Sequence, residues 1–379
     1  MARKITMQHI ADRLGVSKYT VSQALSGKPG ISEATRKQVT AMAAALGYTV
    51  AAAGAPSPPT SDEETDVQSA ALPSAETARL IYIGMDERHD KEPSFWQRVK
   101  EGLEAGCRTY GLRPVFFTFS GQGKDGAEQS FPLPRPDAAG AGIAAGYIIA
   151  GKSPLAALLK LKRSGLPIVL VDHEEPLIGA DAVLNANADA GRMACHHLLT
   201  QECRSLVFVG RDSFAVSFRE RWWGCRLALD EAKESRRAAD PQSPPASITA
   251  LKKWTVPYGS LHDQTWRMAL ERRLDGIMEG TASGRQEELP DGIVCANDDI
   301  ALFLLHLIEK KGLQGRIRIV GIDNTAPGME ASIPLTTVDL AKEWLGIRAI
   351  EQFVRKLAQP AAQPEKIILS SRMVVRKSG

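Results

Sequence analysis

Four polar residues stand where short apolar runs of this 379-residue chain end, and their types suit a hydroxyl-rich ligand. They are Asp86, Asp172, Asn297 and Asp323, and an arginine pair, Arg219 and Arg221, opens a later helical segment. Carboxylates, amides and a guanidinium fork bind neighbouring hydroxyl groups bidentately, and the indole of Trp254 could stack on a sugar ring. The alternative is structural, because an aspartate at a strand end often caps a helix or closes a turn.

Other groups of reactive residues are weaker candidates. The neighbours His196 and His197 do not share a helix face, so they are a poor metal pair. The segments "GIDN" and "AAGYIIAGK" lack the spacing of a phosphate-binding loop. The five cysteines are scattered, which indicates reduced, buried thiols. We therefore predict no metal site and no cofactor, and the sequence justifies no catalytic Ser/His/Asp or Cys/His set.

The elements that would position the polar residues alternate between strand and helix. Compact apolar runs predict strands at 79–85, 113–119, 145–151, 167–172, 205–210, 291–297 and 318–323, with helical patterns between them. This alternation is typical of α/β folds, in which helices cover both faces of a parallel sheet. Because there are more units than one small sheet needs, we expect two lobes. A ligand would then lie between them, at the carboxyl ends of the strands.

Residues 51–78 separate this body from the N-terminus. They are rich in Ala, Pro, Ser and acidic residues and have no apolar periodicity, so they predict a mostly disordered linker. The Pro/Gly/Ser-rich segments 120–142 and 234–247 predict loops. The chain is 44% hydrophobic, has no run of eighteen apolar residues, and lacks a signal-peptide pattern at its N-terminus. These features predict a cytoplasmic protein that does not associate with a membrane.

The first 50 residues form a basic module, with seven basic and two acidic residues. Apolar residues recur there at helical spacing: Ile10, Ala11 and Leu14; Val21, Ala24 and Leu25; Ala34, Val39, Met42, Ala43 and Leu46. Gly15 permits a tight turn, and Ser17 and Ser32 can cap the second and third helices. A plain three-helix bundle is the alternative. The basic charge and the following linker favour a helix-turn-helix unit, which lays its second helix in the major groove of DNA.

The stretch "ITMQHIADRLGVSKYTVSQALSGKPGISEATRKQVTAMAAALGY" resembles the head of the lactose/galactose repressor family. Farther along, "SFWQRVKEGLEAG", "LPIVLVDHE", "RWWGCRLAL", "VCANDDIAL", "IVGIDN", "PLTTVDLAKEWLGIRAI" and "LSSRMVVRKSG" follow that family's order and spacing. The resemblance implies a helix-turn-helix domain at 1–50, a linker at 51–78 and a two-lobe, periplasmic-binding-protein-like body at 79–379. Lobe 1 would comprise about 79–185 and 341–366, and lobe 2 about 186–340 and 367–379.

The predicted DNA contacts are Thr6, Ser17, Lys18, Tyr19, Thr20, Ser22, Gln23 and Lys28, and the resemblance assigns roles to five of them. Ser17 and Thr20 match positions that contact phosphate, and Lys18, Tyr19 and Gln23 match positions that read bases. The family usually has Arg where this chain has Gln23. An arginine fork favours the two acceptors of guanine, whereas a Gln amide suits the acceptor and donor of adenine. We therefore predict an A·T pair in the operator where relatives often read G·C.

Two departures from the family pattern affect what the resemblance implies. Relatives usually continue with a hinge helix whose leucine enters the minor groove, but "TVAAAGAPSPPT" has no leucine, and Pro56, Pro58 and Pro59 prevent a continuing helix. This weakens the expectation of minor-groove insertion. The effector would then influence DNA binding through dimer geometry alone, or only weakly. Where the family has D-N-x-x-G this chain has "ANADAG", so Ala186 replaces the aspartate and Asn187 remains.

The resemblance implies effector contacts by Arg221, Trp254, Asn297 and Asp323, and it matches Asp172 less specifically. With Asp86, Trp96 and Arg219 these residues form the predicted effector site. The sequence therefore predicts a homodimeric repressor of a pseudo-palindromic operator that responds to a sugar or sugar derivative, and not an enzyme. The charged segment "DERHDKEPSFW" hints at a charged effector, and the same residues fit an inducer or a co-repressor. The alternatives are a periplasmic-type solute-binding protein and a sugar-processing enzyme with a DNA-binding head. The head argues against the first, and the missing phosphate loop argues against the second.

Overall fold

The computed structural model describes residues 11, 14, 16, 18–25, 32–45, 79–87, 94–119, 131, 142–239, 250–259, 264–282 and 289–379. The chain divides into two compact units, Met1–Ser69 and Ala70–Gly379. The division falls within the predicted linker, and residues 51–78 lie outside the described residues.

The N-terminal unit has the core that its helical periodicity predicts. Its described helices are α1, Lys18–Leu25, and α2, Glu33–Ala45. Its core consists of Ala11, Val21, Ala24, Val39 and Ala43, with Leu14, Val16, Leu25 and Met42 packed against them. Ser32 caps α2 as predicted, because its hydroxyl accepts a hydrogen bond from the Thr35 amide at 3.2 Å. Ile10, Gly15, Ser17 and Leu46 lie outside the described residues.

The C-terminal unit alternates between strands and helices. In chain order its described elements are β1 (Arg79–Asp86), α3 (Trp96–Thr109), β2 (Arg113–Phe119), β3 (Ile143–Ala150), α4 (Leu155–Lys162), β4 (Ile168–Val171), β5 (Asp181–Asn185), α5 (Asn187–Thr200), β6 (Ser205–Gly210), α6 (Val216–Ala239), β7 (Ala250–Thr255), α7 (Gln264–Ala282), β8 (Gly292–Cys295), α8 (Asp298–Lys310), β9 (Arg318–Ile322), α9 (Ala326–Glu330), β10 (Thr336–Asp339), α10 (Lys342–Ala358), β11 (Lys366–Leu369) and β12 (Arg372–Val374).

These strands form two six-stranded sheets, one in each lobe. The sheet of lobe 1 has the order β11-β5-β4-β3-β1-β2, and its strand pairs are parallel. The sheet of lobe 2 has the order β12-β10-β9-β8-β6-β7 and is parallel except for the pair of β10 with β12. The central strands are buried along their length, as in β4 and β8, because helices cover both faces. The α/β class and the two-lobe body are thus confirmed.

The chain passes between the two sheets three times. It crosses after β5, between β10 and α10, and between β11 and β12. The last crossing lies at residues 370–371 instead of the predicted boundary at 366/367. The boundary was placed too early because Lys366–Leu369 pairs with β5 and so completes the sheet of lobe 1.

Each lobe contains a helix pair that crosses at glycine. A Cβ on Gly102 of α3 would lie 2.0 Å from the carbonyl oxygen of Glu343 on α10, in lobe 1. A Cβ on Gly191 of α5 would lie 1.9 Å from the carbonyl oxygen of Arg221 on α6, in lobe 2. At the second crossing the α6 backbone at Arg221 lies directly against α5. This contact fixes the position of the Arg221 backbone, from which the side chain extends.

The structure also corrects the secondary-structure predictions. Helix α6 continues to Ala239, so the first part of the predicted 234–247 loop is helical, and residues 240–249 lie outside the described residues. The sequence missed β5, β7, β10, β11 and β12. Strands β7 and β11 alternate between exposed and more buried residues, so they do not form the compact apolar runs on which the prediction relied.

Candidate ligand-binding site

Arg221 is the centre of a polar cluster in lobe 2. It lies near the start of α6 and is only 4% exposed. Its Nε donates to Asn187 Oδ1 at 3.1 Å, and one terminal nitrogen donates to the Ala296 carbonyl at 2.5 Å. The other terminal nitrogen lies 3.4 Å from a carboxylate oxygen of Asp323. A planar guanidinium held on three sides has a fixed orientation, which is what bidentate recognition of a ligand requires.

Asn297 and Asp323 follow β8 and β9, where the sequence places them. Asn297 caps α8, because its Oδ1 accepts from the Ile300 amide at 3.2 Å. Its Nδ2 donates to the Tyr258 hydroxyl at 2.9 Å. The structural explanation of a polar residue at a strand end is therefore correct for Asn297. Capping uses one lone-pair direction of the amide oxygen and leaves the amide group oriented toward the cluster.

Tyr258 links this network to an aromatic cluster formed by Phe214, Phe218, Tyr258 and Trp266. Its hydroxyl donates to Asp299 Oδ2 at 2.9 Å. Burial and the Asp299 carboxylate raise the pKa of Tyr258 above its ordinary value, so the phenol stays protonated and keeps its donor. The Tyr258 ring centroid lies 4.9 Å from that of Phe214, 5.6 Å from Phe218 and 5.4 Å from Trp266.

Lobe 1 contributes Asp172, which follows β4 with a φ of +54°. Burial raises the pKa of Asp172 to about 6, Arg221 and Asn185 lower it, and Glu220 raises it. Arg221 and Glu220 belong to lobe 2, and Asn185 ends the strand that precedes the first crossing. The pKa of Asp172 thus responds to charges of the opposite lobe, which places the carboxylate at the cleft between them.

Asp86 and Trp96 are both buried in lobe 1. Asp86 is the last residue of β1 and has no exposed surface. Trp96 opens α3, and its ring packs edge-on against Phe95 with centroids 5.1 Å apart, within the apolar core. Their assignment as effector contacts stays a prediction.

Arg219 and Trp254 are less well placed for their predicted roles. Arg219 and Arg221 are two residues apart on α6 and so point to different sides, and Arg219 is exposed. Trp254 is 1% exposed and lies on β7, where the Arg273 guanidinium of α7 covers its ring at 5.0 Å. Arg273 covers one face of the ring and the side chain is buried, so the stacking role of Trp254 stays a prediction. The aromatic cluster around Tyr258 is better placed, because Tyr258 bonds directly to Asn297.

Sequence reasoning missed Tyr258, Glu220 and Asn185. The sequence marked Asn187 only as the remnant of a motif, yet its side chain connects three residues of the cluster. It accepts a hydrogen bond from Arg221, and it donates to the Glu220 carboxylate and to the Asn185 carbonyl, each at 3.3 Å. The pattern N-x-N at the first lobe crossing could have indicated this. Tyr258 follows an alternating strand, and no local signal marks it.

Two kinds of feature are absent from the described parts of the chain. These parts contain no group of three or more His, Cys, Asp or Glu residues that could hold a metal ion. No helix among them is long and apolar enough to cross a membrane.

In the N-terminal unit, Lys18, Tyr19, Thr20, Ser22 and Gln23 belong to α1. Val21 and Ala24 of this helix are buried, so Tyr19 and Gln23 occupy positions on the opposite side of the helix. Thr6, Ser17 and Lys28 lie outside the described residues. The DNA contacts of all eight stay a prediction.

A helix-turn-helix unit followed by a two-lobe α/β body with a polar cluster at the cleft defines a class of ligand-responsive regulators. Residues 6–50 match the family model described as bacterial regulatory proteins, lacI family. Residues 195–379 match that of the periplasmic binding protein-like domain. The chain thus combines a lacI-family DNA-binding domain with a periplasmic binding protein-like domain.

Curated relatives carry names of the same kind. The ribose operon repressor of Haemophilus influenzae is 24% identical over 98% of this chain and 98% of its own length. The HTH-type transcriptional repressor PurR of Mannheimia succiniciproducens is 25% identical over 57% of this chain and 58% of its own length. Both are named as repressors and neither as an enzyme.

Solved structures share the fold. A LacI family transcriptional regulator from Enterococcus faecium with bound ribose aligns with a TM-score of 0.59 and 19% identity over 78% of this chain and 98% of that chain. The lac repressor dimer bound to operator and the anti-inducer ONPF aligns with a TM-score of 0.55 and 18% identity over 99% of both chains. At these identities the likeness concerns the fold.

Proposed function

We propose that this regulator is a homodimeric repressor whose affinity for operator DNA is set by a small hydroxyl-rich effector bound between its two lobes. The observation that carries the proposal is the buried Arg221, oriented by Asn187 and facing Asp323, with Asp172 of the other lobe within its electrostatic reach. An arginine fork between two carboxylates binds neighbouring hydroxyls of a sugar while its own charge is balanced. The ribose carried by a structural neighbour supports this class of ligand.

The first experiment is a thermal-shift screen of the full chain against sugars, sugar acids and sugar phosphates. A true effector raises the melting temperature in proportion to the logarithm of its concentration above Kd. The shift should disappear in Arg221→Lys, which keeps the charge but loses the planar fork. Arg219→Lys is the matched control, because Arg219 lies on the same helix and is exposed. A shift that Arg221→Lys leaves intact would place the effector elsewhere.

The DNA-binding part of the proposal rests on α1 and its core. Binding to operator should weaken steeply with salt, since basic residues of the head replace counterions on phosphate. Deleting residues 1–50 should abolish this binding and leave the effector-induced thermal shift intact. A chain that keeps both activities after the deletion contradicts the assignment of the head.

Gln23 gives the proposal a finer test. Selection of binding sites from a random DNA pool should yield an A·T pair at the step that Gln23 reads, and Gln23→Arg should shift that step to G·C. The discrimination expected for one bidentate contact is about 1–3 kcal/mol. A preference for G in the wild type that Gln23→Ala does not alter would refute this reading.

The remaining assignments follow from the same proposal. An operator-binding protein works where the chromosome is, which for a bacterial regulator is the cytoplasm. A paired head reads a palindrome, so sedimentation should show a dimer. A sugar-processing enzyme is the competing function, and incubation with the effector and ATP should give no product.

A further inference from the structure

The loop between β9 and α9 has a backbone conformation that ordinary residues avoid. Asp323 has a φ of +130° and the next residue, Asn324, a φ of +51°. Two successive non-glycine residues with positive φ are strained, and such strain persists only where surrounding contacts impose it. The loop presents the Asp323 carboxylate to Arg221. What holds the loop therefore also sets the geometry of the candidate effector site.

The side chain of Lys342 is hydrogen-bonded to the backbone of this loop. Its Nζ donates to the carbonyl oxygen of Asp323 and reaches that of Asn324 at 3.5 Å. The side chain is 7% exposed, and the nearest carboxylate is that of Asp339 at 3.7 Å. A buried ammonium needs partners for its donors, and here two of them are the carbonyls of the strained residues.

Arg376 holds the same loop from the C-terminal segment. Its guanidinium donates to Asn324 Oδ1 at 2.7 Å and to the Leu335 carbonyl at 2.7 Å. Asp339, which faces Lys342, also binds Arg372 at 2.9 Å. All of these charged residues lie beside the second or third passage of the chain between the lobes: Asp339, Lys342, Arg372 and Arg376.

Lys342 belongs to lobe 1, although its ammonium acts in lobe 2. It is the first residue of α10, which packs on α3 through Gly346 and lies under β3 through Phe353. Asp323 and Asn324 follow β9 of the lobe 2 sheet. A movement of α10 relative to the lobe 2 sheet therefore moves the ammonium relative to the two carbonyls.

We propose that Lys342 is a positioning residue of the effector site: it fixes the Asp323–Asn324 loop and makes the Asp323–Arg221 geometry depend on the relative orientation of the lobes. The meaning of this link for regulation rests on the proposed function, whereas the link itself can be measured without any effector. When the lobes rotate, the loop loses or regains its donor, so site geometry and lobe orientation change as one two-state element.

The test is hydrogen–deuterium exchange of the full-length, ligand-free protein, followed on peptides that cover residues 318–330. Lys342→Met removes the ammonium and keeps the aliphatic chain. It should raise exchange in this segment about tenfold or more, because the carbonyls lose a charge-assisted donor. Lys342→Arg should change it little. The matched control is Lys311→Met, which removes another largely buried lysine that is paired with Asp275 of α7 instead of with the loop.

The conservative variant separates positioning from general support. Lys342→Arg keeps a buried donor for the Asp323 and Asn324 carbonyls, so exchange of the segment should stay close to the wild-type rate. Loosening by Lys342→Arg as large as that by Lys342→Met, or equal loosening of the segment by Lys311→Met, overturns the proposal. If Lys342→Met does not fold, Arg376→Met replaces it and should loosen the same segment.

The link to lobe orientation needs its own readout. The described cysteines are buried, so spin labels can be placed at exposed Thr109 of lobe 1 and Glu234 of lobe 2. In ligand-free protein the distance distribution between the labels should broaden in Lys342→Met and stay narrow in Lys342→Arg and Lys311→Met. An unchanged distribution in Lys342→Met would refute the coupling of loop and lobes, whatever the effector screen finds.

Discussion

The two lobes have the same architecture but balance their buried charges differently. Each has a six-stranded sheet and a helix pair that crosses at glycine. Lobe 2 pairs its buried arginine with its own Asp323. Lobe 1 presents Asp172, whose pKa is raised by burial and lowered by Arg221 of the opposite lobe. Lobe 2 thus holds a preformed half of the proposed effector site (a half-site), whereas the charge of Asp172 in lobe 1 depends on how closely the lobes approach.

The largest effect should come from breaking the preformed half. Arg221→Met removes the donors that Arg221 supplies to the Asp323 carboxylate, the Asn187 amide oxygen and the Ala296 carbonyl. Removing one partner of a buried ion pair costs about 3–5 kcal/mol. Urea unfolding should show this loss, and adding Asp323→Asn should restore part of it. Equal stability of Arg221→Met and the double variant would mean that the two charges are not coupled.

The glycine crossings test whether the lobes are mechanically equivalent. Gly102→Ala and Gly191→Ala each drive a Cβ into backbone of the facing helix, which should cost about 3 kcal/mol, the upper part of the usual range for overpacking. Only Gly191→Ala should also weaken effector binding, because it displaces the turn that carries Arg221. Gly276→Ala on α7 is the control, since a Cβ there meets nothing within 4 Å. A binding loss of equal size in Gly102→Ala would argue against a preformed half-site in lobe 2.

The third prediction concerns the pH dependence of Asp172. Its folded pKa of about 6 lies above the ordinary value of 3.8, so the folded state binds this proton more tightly than the unfolded state. Ionisation then destabilises the fold: the penalty is present above pH 6 and disappears as the pH falls toward 4. Asp172→Asn should therefore be more stable than wild type at pH 7.5, by about 1–3 kcal/mol.

That difference should shrink as the pH falls through 6 toward 4, and urea titrations at several pH values measure it. Exposed Asp189→Asn serves as the control, because its carboxylate stays in solvent. A gap between wild type and Asp172→Asn that is constant with pH would show that the carboxylate is not the cause.

The smallest effects should come from a surface feature that the lobes share. Each helix pair carries an ion pair beside its crossing, Arg98 with Glu343 in lobe 1 and Arg192 with Glu231 in lobe 2. These side chains are largely exposed, and exposed pairs contribute little because water screens them. Glu343→Gln and Glu231→Gln should leave the melting temperature unchanged within error. A marked loss in one of them would show that the lobes differ at the surface as well.

Local patterns predicted the N-terminal core well. Val21, Ala24, Val39 and Ala43 are buried as their helical spacing indicates, because that core depends on contacts between neighbouring helices. In the body, the buried strands β3, β4, β6, β8 and β9 are apolar runs that the sequence predicts, whereas the buried β5 and β10 contain polar residues and were missed. Strands β7 and β11 were also missed, because they are edge strands with one exposed face, and their pairing depends on distant parts of the chain.

The candidate site was predicted in part for the same reason. Arg221, Asn297 and Asp323 stand beside strands or motifs that a sequence displays, and the structure brings them into one network. Trp254 was assigned a stacking role, yet its strand turns the ring toward Arg273. Tyr258 completes the network only because the chain after β7 folds back beside Asn297, and no spacing in the sequence records that approach.

The threading of the chain through both lobes also has a consequence for biosynthesis. Strands β11 and β12 fill one position in each sheet, and Glu365 donates its amide to Asp181, 184 residues earlier. Neither sheet is complete until residues 366–374 have been synthesised, so both lobes depend on strand pairings between segments far apart in the chain. A nascent chain that stops before Lys366 lacks one edge strand of each sheet, so a single premature stop weakens both lobes at once.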